Sequence, residues 1–147
     1  MLLYLDTNIY GRPFDDQSFL KIRLESEAVL ILFQLIEQST KLGIITSDIL
    51  YYEIKSTNMV TKRLGMQSFL ELEAKHIPQN DIIVTTAKEL TTTTKLHARD
   101  ALHLASSIIS KATYFVTCDN HFFKKRVLDN SPIKIISPID FPFNSFL

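Results

Sequence analysis

Blocks of apolar residues alternate with polar segments along the chain, and the spacing within each block changes between strand-like and helix-like. Leu2 to Leu5 is an unbroken apolar run closed by Asp6, which predicts a buried first strand. Gly11, Arg12, Pro13 and Phe14 form a loop, since proline disfavours helix in the residue before it. From Asp15 to about Gln38 the pattern is helical, with Asp15 and Asp16 at its start and Val29, Leu32, Phe33 and Ile36 on its inward face. Gly43 stops that helix and Ile44 to Thr46 reads as a second strand. Ser47 can cap a third segment carrying Ile49, Leu50 and Glu53, and Asn58 can cap a helix from Met59 to about Lys75. In that helix Leu64, Phe69, Leu70 and Leu72 point inward, and Gly65 costs about 1 kcal/mol relative to alanine.

Ile77 and Pro78 break the pattern. Asp81 to about Thr92 reads as helix, although Ile82, Ile83, Val84 and the threonines leave a strand open there. Ala98 to Lys111 is the clearest helix, with an apolar stripe of Ala101, Leu102, Ala105, Ile108 and Ile109. Thr113 to Thr117 is a strand, Asn120 to Leu128 a helix and Ile133 to Ser137 a last strand. The order β-α-β-α-α-α-α-β-α-β implies an α/β fold with a parallel sheet covered on both faces. The tail, with Phe141, Phe143 and Phe146 among prolines, packs on the domain or on a partner.

Composition narrows the class. At 147 residues and 46% hydrophobic content the chain fits one domain, residues 1–147. A domain of this size buries about 68–70% of its unfolded surface and needs no staples. No run approaches the roughly 18 apolar residues of a membrane span, and no basic region precedes the first apolar run, so neither a membrane segment nor a secretory leader is expected. Cys118 is the only cysteine, which suits a cytoplasmic protein. Sixteen basic residues balance sixteen acidic ones, but setting four acids aside on a cation leaves the remaining surface modestly basic.

The candidate chemistry lies in Asp6, Glu53, Asp100 and Asp119. Asp6 and Asp119 follow predicted strands, and Glu53 and Asp100 sit near helix starts. In an open parallel sheet these positions share the edge where ligands bind. Taken singly, each has an ordinary explanation: a turn, a helix cap, an acid in a first helical turn, a solvated face. Four together repel one another and call for a hard divalent cation, Mg²⁺ or Mn²⁺; no C-x-x-C or H-E-x-x-H pattern points to zinc. The chain therefore reads as a metal-dependent enzyme acting on phosphate esters. Thr117 and Asn8 are supporting residues, and Arg12, Lys55, Arg99 and Lys124 are candidates for holding phosphates. His103, one turn after Asp100, reads first as a hydrogen-bonded core or boundary residue, with a contact to the site or substrate as the second reading. Asn8 stands where an aspartyl phosphatase needs a second Asp, and no Gly-x-Gly-x-x-Gly turn marks a dinucleotide site.

The sequence resembles the PIN-domain ribonuclease family, including the VapC-type toxin subunits of toxin–antitoxin pairs. The matching stretches are Leu5-Asp6-Thr7-Asn8, Tyr52-Glu53-Ile54, Arg99-Asp100-Ala101-Leu102-His103-Leu104-Ala105 and Phe115-Val116-Thr117-Cys118-Asp119. The resemblance implies a three-layer α/β/α sandwich and an acidic Mg²⁺ or Mn²⁺ pocket built from Asp6, Glu53, Asp100 and Asp119, with Thr117 as a helper. It implies endonucleolytic cleavage of RNA leaving a 5′-phosphate, a cognate antitoxin if the chain is a toxin, and, with the phenylalanine-bearing tail, a homodimer. A housekeeping RNA-processing nuclease and a non-catalytic PIN-like module that binds RNA or protein are the alternatives.

Overall fold

The computed structural model describes residues 1–147. Five strands, β1 (Leu2–Leu5), β2 (Gly43–Ser47), β3 (Glu73–Ile77), β4 (Tyr114–Val116) and β5 (Lys134–Ile136), form one sheet in the order β3-β2-β1-β4-β5. Every pairing is parallel. Seven α-helices connect them: α1 (Thr7–Gly11), α2 (Leu20–Gln38), α3 (Asp48–Lys55), α4 (Val60–Phe69), α5 (Asp81–Thr94), α6 (Ala98–Ile109) and α7 (Lys125–Leu128). The result is a three-layer α/β/α sandwich.

Strand periodicity builds the two outer layers. Leu3, Leu5, Ile44, Val116 and Ile136 point to one face and meet Ile9 and Tyr10 of α1, Val29, Leu32, Phe33 and Ile36 of α2, and Phe141 of the tail. Tyr4, Ile45, Phe115 and Ile135 point to the other and meet Ile83, Ala87 and Leu90 of α5 and Ala101, Leu104 and Ala105 of α6. A strand buried on both faces cannot show polar alternation, which is why these runs are continuously apolar. The tail closes on its own domain: Phe141 is buried, with Tyr114, Phe143 and Phe146 rings 5.1–6.3 Å away.

Four expectations are corrected. The helix expected to run from Met59 to Lys75 ends at Phe69, and β3 follows after a 3₁₀ turn, Leu70–Leu72. That edge strand, Glu-Ala-Lys-His-Ile, is charged because an edge faces water and resists pairing with other chains. Leu64 is exposed, and α4 begins at Val60 with Met59, not Asn58, as its N-cap and no side-chain cap. The Gly11–Phe14 loop is instead the end of α1 and a 3₁₀ turn with Pro13 inside it; a proline in a first turn sacrifices no hydrogen bond. Asp15 and Asp16 precede α2 rather than starting it: Asp15 binds Arg12 at 3.0 Å and Lys62 at 2.6 Å. Gly65 has a packing reason, since a Cβ there would run into the Phe14 ring. The space it leaves, not helix propensity, decides that position.

Candidate active site

Connections from β1 run to β2 on one side while β4 lies on the other, so the strand order reverses between β1 and β4. Such a reversal opens a crevice at the strand C-termini. Asp6 stands at that point, 4% exposed. Its Oδ1 accepts from Thr7 N at 2.8 Å, capping α1, and its Oδ2 accepts from Asn8 Nδ2 at 3.0 Å and Thr117 Oγ1 at 2.8 Å. Asn8 Oδ1 in turn accepts from Cys118 N, and Thr117 Oγ1 accepts from Asp119 N. Asn8 and Thr117 thus fasten the ends of β1 and β4 together around Asp6. Asp119 follows and caps the 3₁₀ turn Asn120–Phe123, accepting from His121 N at 2.9 Å.

Ser47 caps α3 as expected, accepting from Leu50 N, and α3 carries Glu53 toward the same crevice. Glu53 Oε1 accepts from Thr7 Oγ1 at 2.6 Å and binds His103 Nε2. Asp100 comes from the first turn of α6. All four acids line one cavity of about 310 Å³, whose wall also includes Asp15 and Lys62. They share a cavity without forming a closed cage: no three His, Cys, Asp or Glu side chains are arranged as a ready-made metal site. Internal bonds hold Asp6, Glu53 and Asp119 each to its own neighbours.

No known family profile matches the sequence, and no curated protein matches it. Solved structures do match the fold. One is VapBC2 from Rickettsia felis, determined bound to a DNA fragment from its promoter: the TM-score is 0.63 at 18% identity, covering 93% of this chain and 98% of that one. Another is VapBC-1 from nontypeable Haemophilus influenzae, with a TM-score of 0.59 at 18% identity over 94% and 98% of the two chains. The fold is PIN-like.

In this PIN-like chain the electrostatics are those of an unbalanced acidic pit. Burial pushes the Asp6 carboxyl up, against the pull of His103, Thr117 and the Thr7 amide. Asp100 is pushed up to about 6, by burial first and then by Asp6 and Asp119. Glu53 goes the other way. Burial opposes its charge, but the His103 hydrogen bond, the His103 charge and the Thr7 hydroxyl hold it below the usual range. His103 is buried, which works against its charge, yet Glu53 and Asp6 raise its pKa. The two directions agree: Glu53 and His103 form an ion pair. With both ring nitrogens protonated, Nδ1 donates to Tyr4 Oη at 2.7 Å, and Tyr4 donates to Ser47 Oγ at 2.6 Å.

The pit has a pH signature. In metal-free buffer the folded chain keeps the Asp100 proton up to about 6, whereas the unfolded chain releases it at 3.8. The contribution is therefore present below the unfolded pKa and lost as pH rises through the folded one, and raised Asp6 acts with the same sign. In EDTA the melting temperature of the wild type is expected to fall relative to that of Asp100→Asn as pH rises from about 4 to 6.5. A shift of this size corresponds to about 3 kcal/mol at most, and solvent screening reduces it to about 1–2 kcal/mol. A wild-type melting temperature that does not fall relative to Asp100→Asn across this interval would contradict the placement of Asp100.

Arg12 does not reach the pit. Its side chain turns inward to Asp15 at 3.0 Å and to buried Glu25 at 3.4 Å, a structural use of the charge. Arg99 is exposed, 4.0 Å from Glu53 Oε2 and over the Tyr52 ring. Lys55 and Lys124 are exposed and line neither this cavity nor the one beside Asp100. Sequence reasoning missed Thr7, Tyr4 and Lys62, and favoured a core role for His103 over the site contact that it makes with Glu53. The one legible signal was the spacing of Asp100 and His103, which places both on one face of α6.

Proposed function

We propose that this chain is a divalent-metal-dependent endoribonuclease, the toxin of a toxin–antitoxin pair. The observation that carries this reading is the convergence of Asp6, Glu53, Asp100 and Asp119 on one cavity at the strand-order reversal. The donor set fits a hard cation: it is all oxygen, and the Asp100 carboxyl is raised by burial and then by the neighbouring Asp6 and Asp119 charges. Asp6, Asp100 and Asp119 would hold Mg²⁺ or Mn²⁺, with Glu53 ligating directly or through water. When bound, the ion would make water a better nucleophile near neutral pH and offset charge on the scissile phosphate.

The chain's own groups divide the remaining work. Thr117, Asn8 and the Thr7 amide orient both Asp6 oxygens. Glu53, held as an anion by His103, anchors rather than accepts a proton. Asp119 engages Oδ1 with His121 and leaves Oδ2 free to ligate the ion. An antitoxin partner is supported by Tyr52, Met59, Val60 and Leu64, large apolar residues on consecutive segments that are all more than half exposed. No helix is long and apolar enough to cross a membrane, and we place the toxin in the cytoplasm with its RNA.

Expression in a bacterial host tests the reading. Growth arrest relieved by co-expression of a small neighbouring gene product, together with RNA cleavage by the purified chain in Mn²⁺ and none in EDTA, is the expected result. Purified chain that leaves tRNA and mRNA intact with Mn²⁺ would overturn the nuclease assignment. Cleavage without growth arrest would restrict the reading to an RNA-processing enzyme.

A further inference from the structure

We propose that a second pocket, divided from the acidic cavity by Asp100, binds a backbone phosphate of single-stranded RNA beside the one being cleaved, with Arg126 and Lys95 supplying the charge. This rests on the ribonuclease reading and adds a subsite to it. The pocket holds about 220 Å³ and is lined by Thr94, Lys95, His97, Asp100, His121 and Arg126 among others. Asp100 is the residue it shares with the acidic cavity. The sign of the lining charge reverses across that one side chain.

Three separate segments converge to make the pocket: the α5–α6 connection, the start of α6, and the stretch from Asp119 into α7. The Arg126 Nε donates to Thr94 O at 2.8 Å, which fixes the guanidinium while leaving its two terminal nitrogens unbonded within the chain. Thr94 is itself buried, its hydroxyl donating to Leu90 O at 2.5 Å and accepting from Leu96 N at 3.2 Å, so the anchor is rigid. His121 Nδ1 binds Asp119 Oδ1 at 2.9 Å, tying the wall of this pocket to an acid of the other and leaving Nε2 open.

No carboxylate neutralises these cations, and the one side-chain bond of Arg126 within the chain is from Nε to Thr94 O. Arg12 and Lys62 are each paired with carboxylates, whereas neither Lys95 nor Arg126 takes part in an ion pair. Fixed positive charge is thus placed next to a pit that must accept a phosphodiester. A guanidinium with open terminal nitrogens matches phosphate geometry, and a lysine adds a point charge. A polyanion laid across Asp100 would put one phosphate on the acidic side with its cation and the next among Lys95, His121 and Arg126.

The test uses the full chain and a fluorescein-labelled ten-nucleotide single-stranded RNA, with anisotropy measured in an Asp6→Asn background so that the RNA stays intact. Arg126→Gln and Lys95→Gln are each expected to weaken binding about 5–10-fold at 0.1 M salt, equally for different RNA sequences. Each is expected to reduce the slope of log affinity against log salt by about 0.7. Arg126→Lys and Lys95→Arg should restore the slope, and Lys111→Gln, at the far end of α6, should change nothing. In the otherwise wild-type chain the two glutamine variants should raise KM with kcat little altered. The pocket is wrong if the double glutamine variant keeps RNA affinity within twofold and an unchanged salt slope while the wild type still cuts RNA. Binding of inorganic phosphate at the pocket with RNA affinity indifferent to both substitutions would mark a free-anion site and also overturn the proposal. A wild-type chain that neither binds nor cuts RNA removes the ribonuclease reading and this subsite with it.

Discussion

Asp6→Asn is expected to lower Mn²⁺-dependent RNA cleavage by about a hundred- to a thousandfold while leaving the melting temperature of the metal-free protein equal to or above that of the wild type. The two halves of this prediction have different physical origins. Asp6 is buried and its charge is opposed by burial and by Glu53, so an ionised Asp6 costs folding free energy at neutral pH. Asparagine turned with its carbonyl in the place of Oδ2 still accepts from Asn8 Nδ2 and from the Thr117 hydroxyl. Only the contact with the Thr7 amide is lost, because Thr117 Oγ1 already accepts from Asn8 Nδ2 and Asp119 N and has no room for a third donor. What the substitution removes is negative charge at the centre of the donor set. Circular dichroism melting alongside a cleavage assay separates the two. A variant that melts well below wild type would make Asp6 a structural acid, and one that cuts RNA at the wild-type rate would remove it from the chemistry.

His103→Ala is expected to cost about 3 kcal/mol of stability, a fall of roughly 6–12 °C in melting temperature for a chain of this size. It also lowers activity through Glu53. The ring is 1% exposed and packs edge-on to Tyr4 at 5.8 Å. Its removal leaves a cavity, strips Tyr4 of one partner and leaves half-buried Glu53 with only the exposed Arg99 as counter-charge, at 4.0 Å. Because the folded pKa of His103 is raised, its stabilisation is present below the unfolded value of 6.5 and lost as pH rises through the folded value. The gap between wild type and His103→Ala should therefore narrow on going from pH 6 to pH 9. His103→Gln, which retains a donor toward Glu53, should recover part of both stability and activity. Thermal denaturation at the two pH values decides: a gap under 1 kcal/mol, or one that widens toward pH 9, contradicts the ion pair.

The sheet interior was readable because strands buried on both faces have no polar alternation to confuse them: Leu2–Leu5, Ile44–Thr46, Tyr114–Val116 and Lys134–Ile136 all lie within or against predicted strands. The edge strand β3 was not, since three of its five residues are Glu, Lys and His, and its place in the sheet is set by pairing with β2 rather than by its own apolar content. Short α1 was hidden for a similar reason. Its five residues hold only because Asp6 caps them and Ile9 and Tyr10 are buried by tertiary contacts. The four acids were legible as junction residues of a parallel sheet, and the structure brings them to one cavity. The Glu53–His103–Tyr4–Ser47 chain was not legible, because its members come from four elements and none is unusual alone. Arg12 shows the opposite failure, a cation near the site in sequence that folding turns toward buried Glu25.

The central claim is that the acidic cavity takes up a hard divalent ion, and an electron paramagnetic resonance titration with Mn²⁺ tests it most directly. The account predicts that the free-ion signal falls as wild-type protein is added at neutral pH, saturating at a fixed stoichiometry, and that Asp6→Asn/Asp100→Asn protein leaves the signal untouched. A free-ion signal that wild-type protein does not diminish at millimolar Mn²⁺, or that both proteins diminish equally, would contradict it.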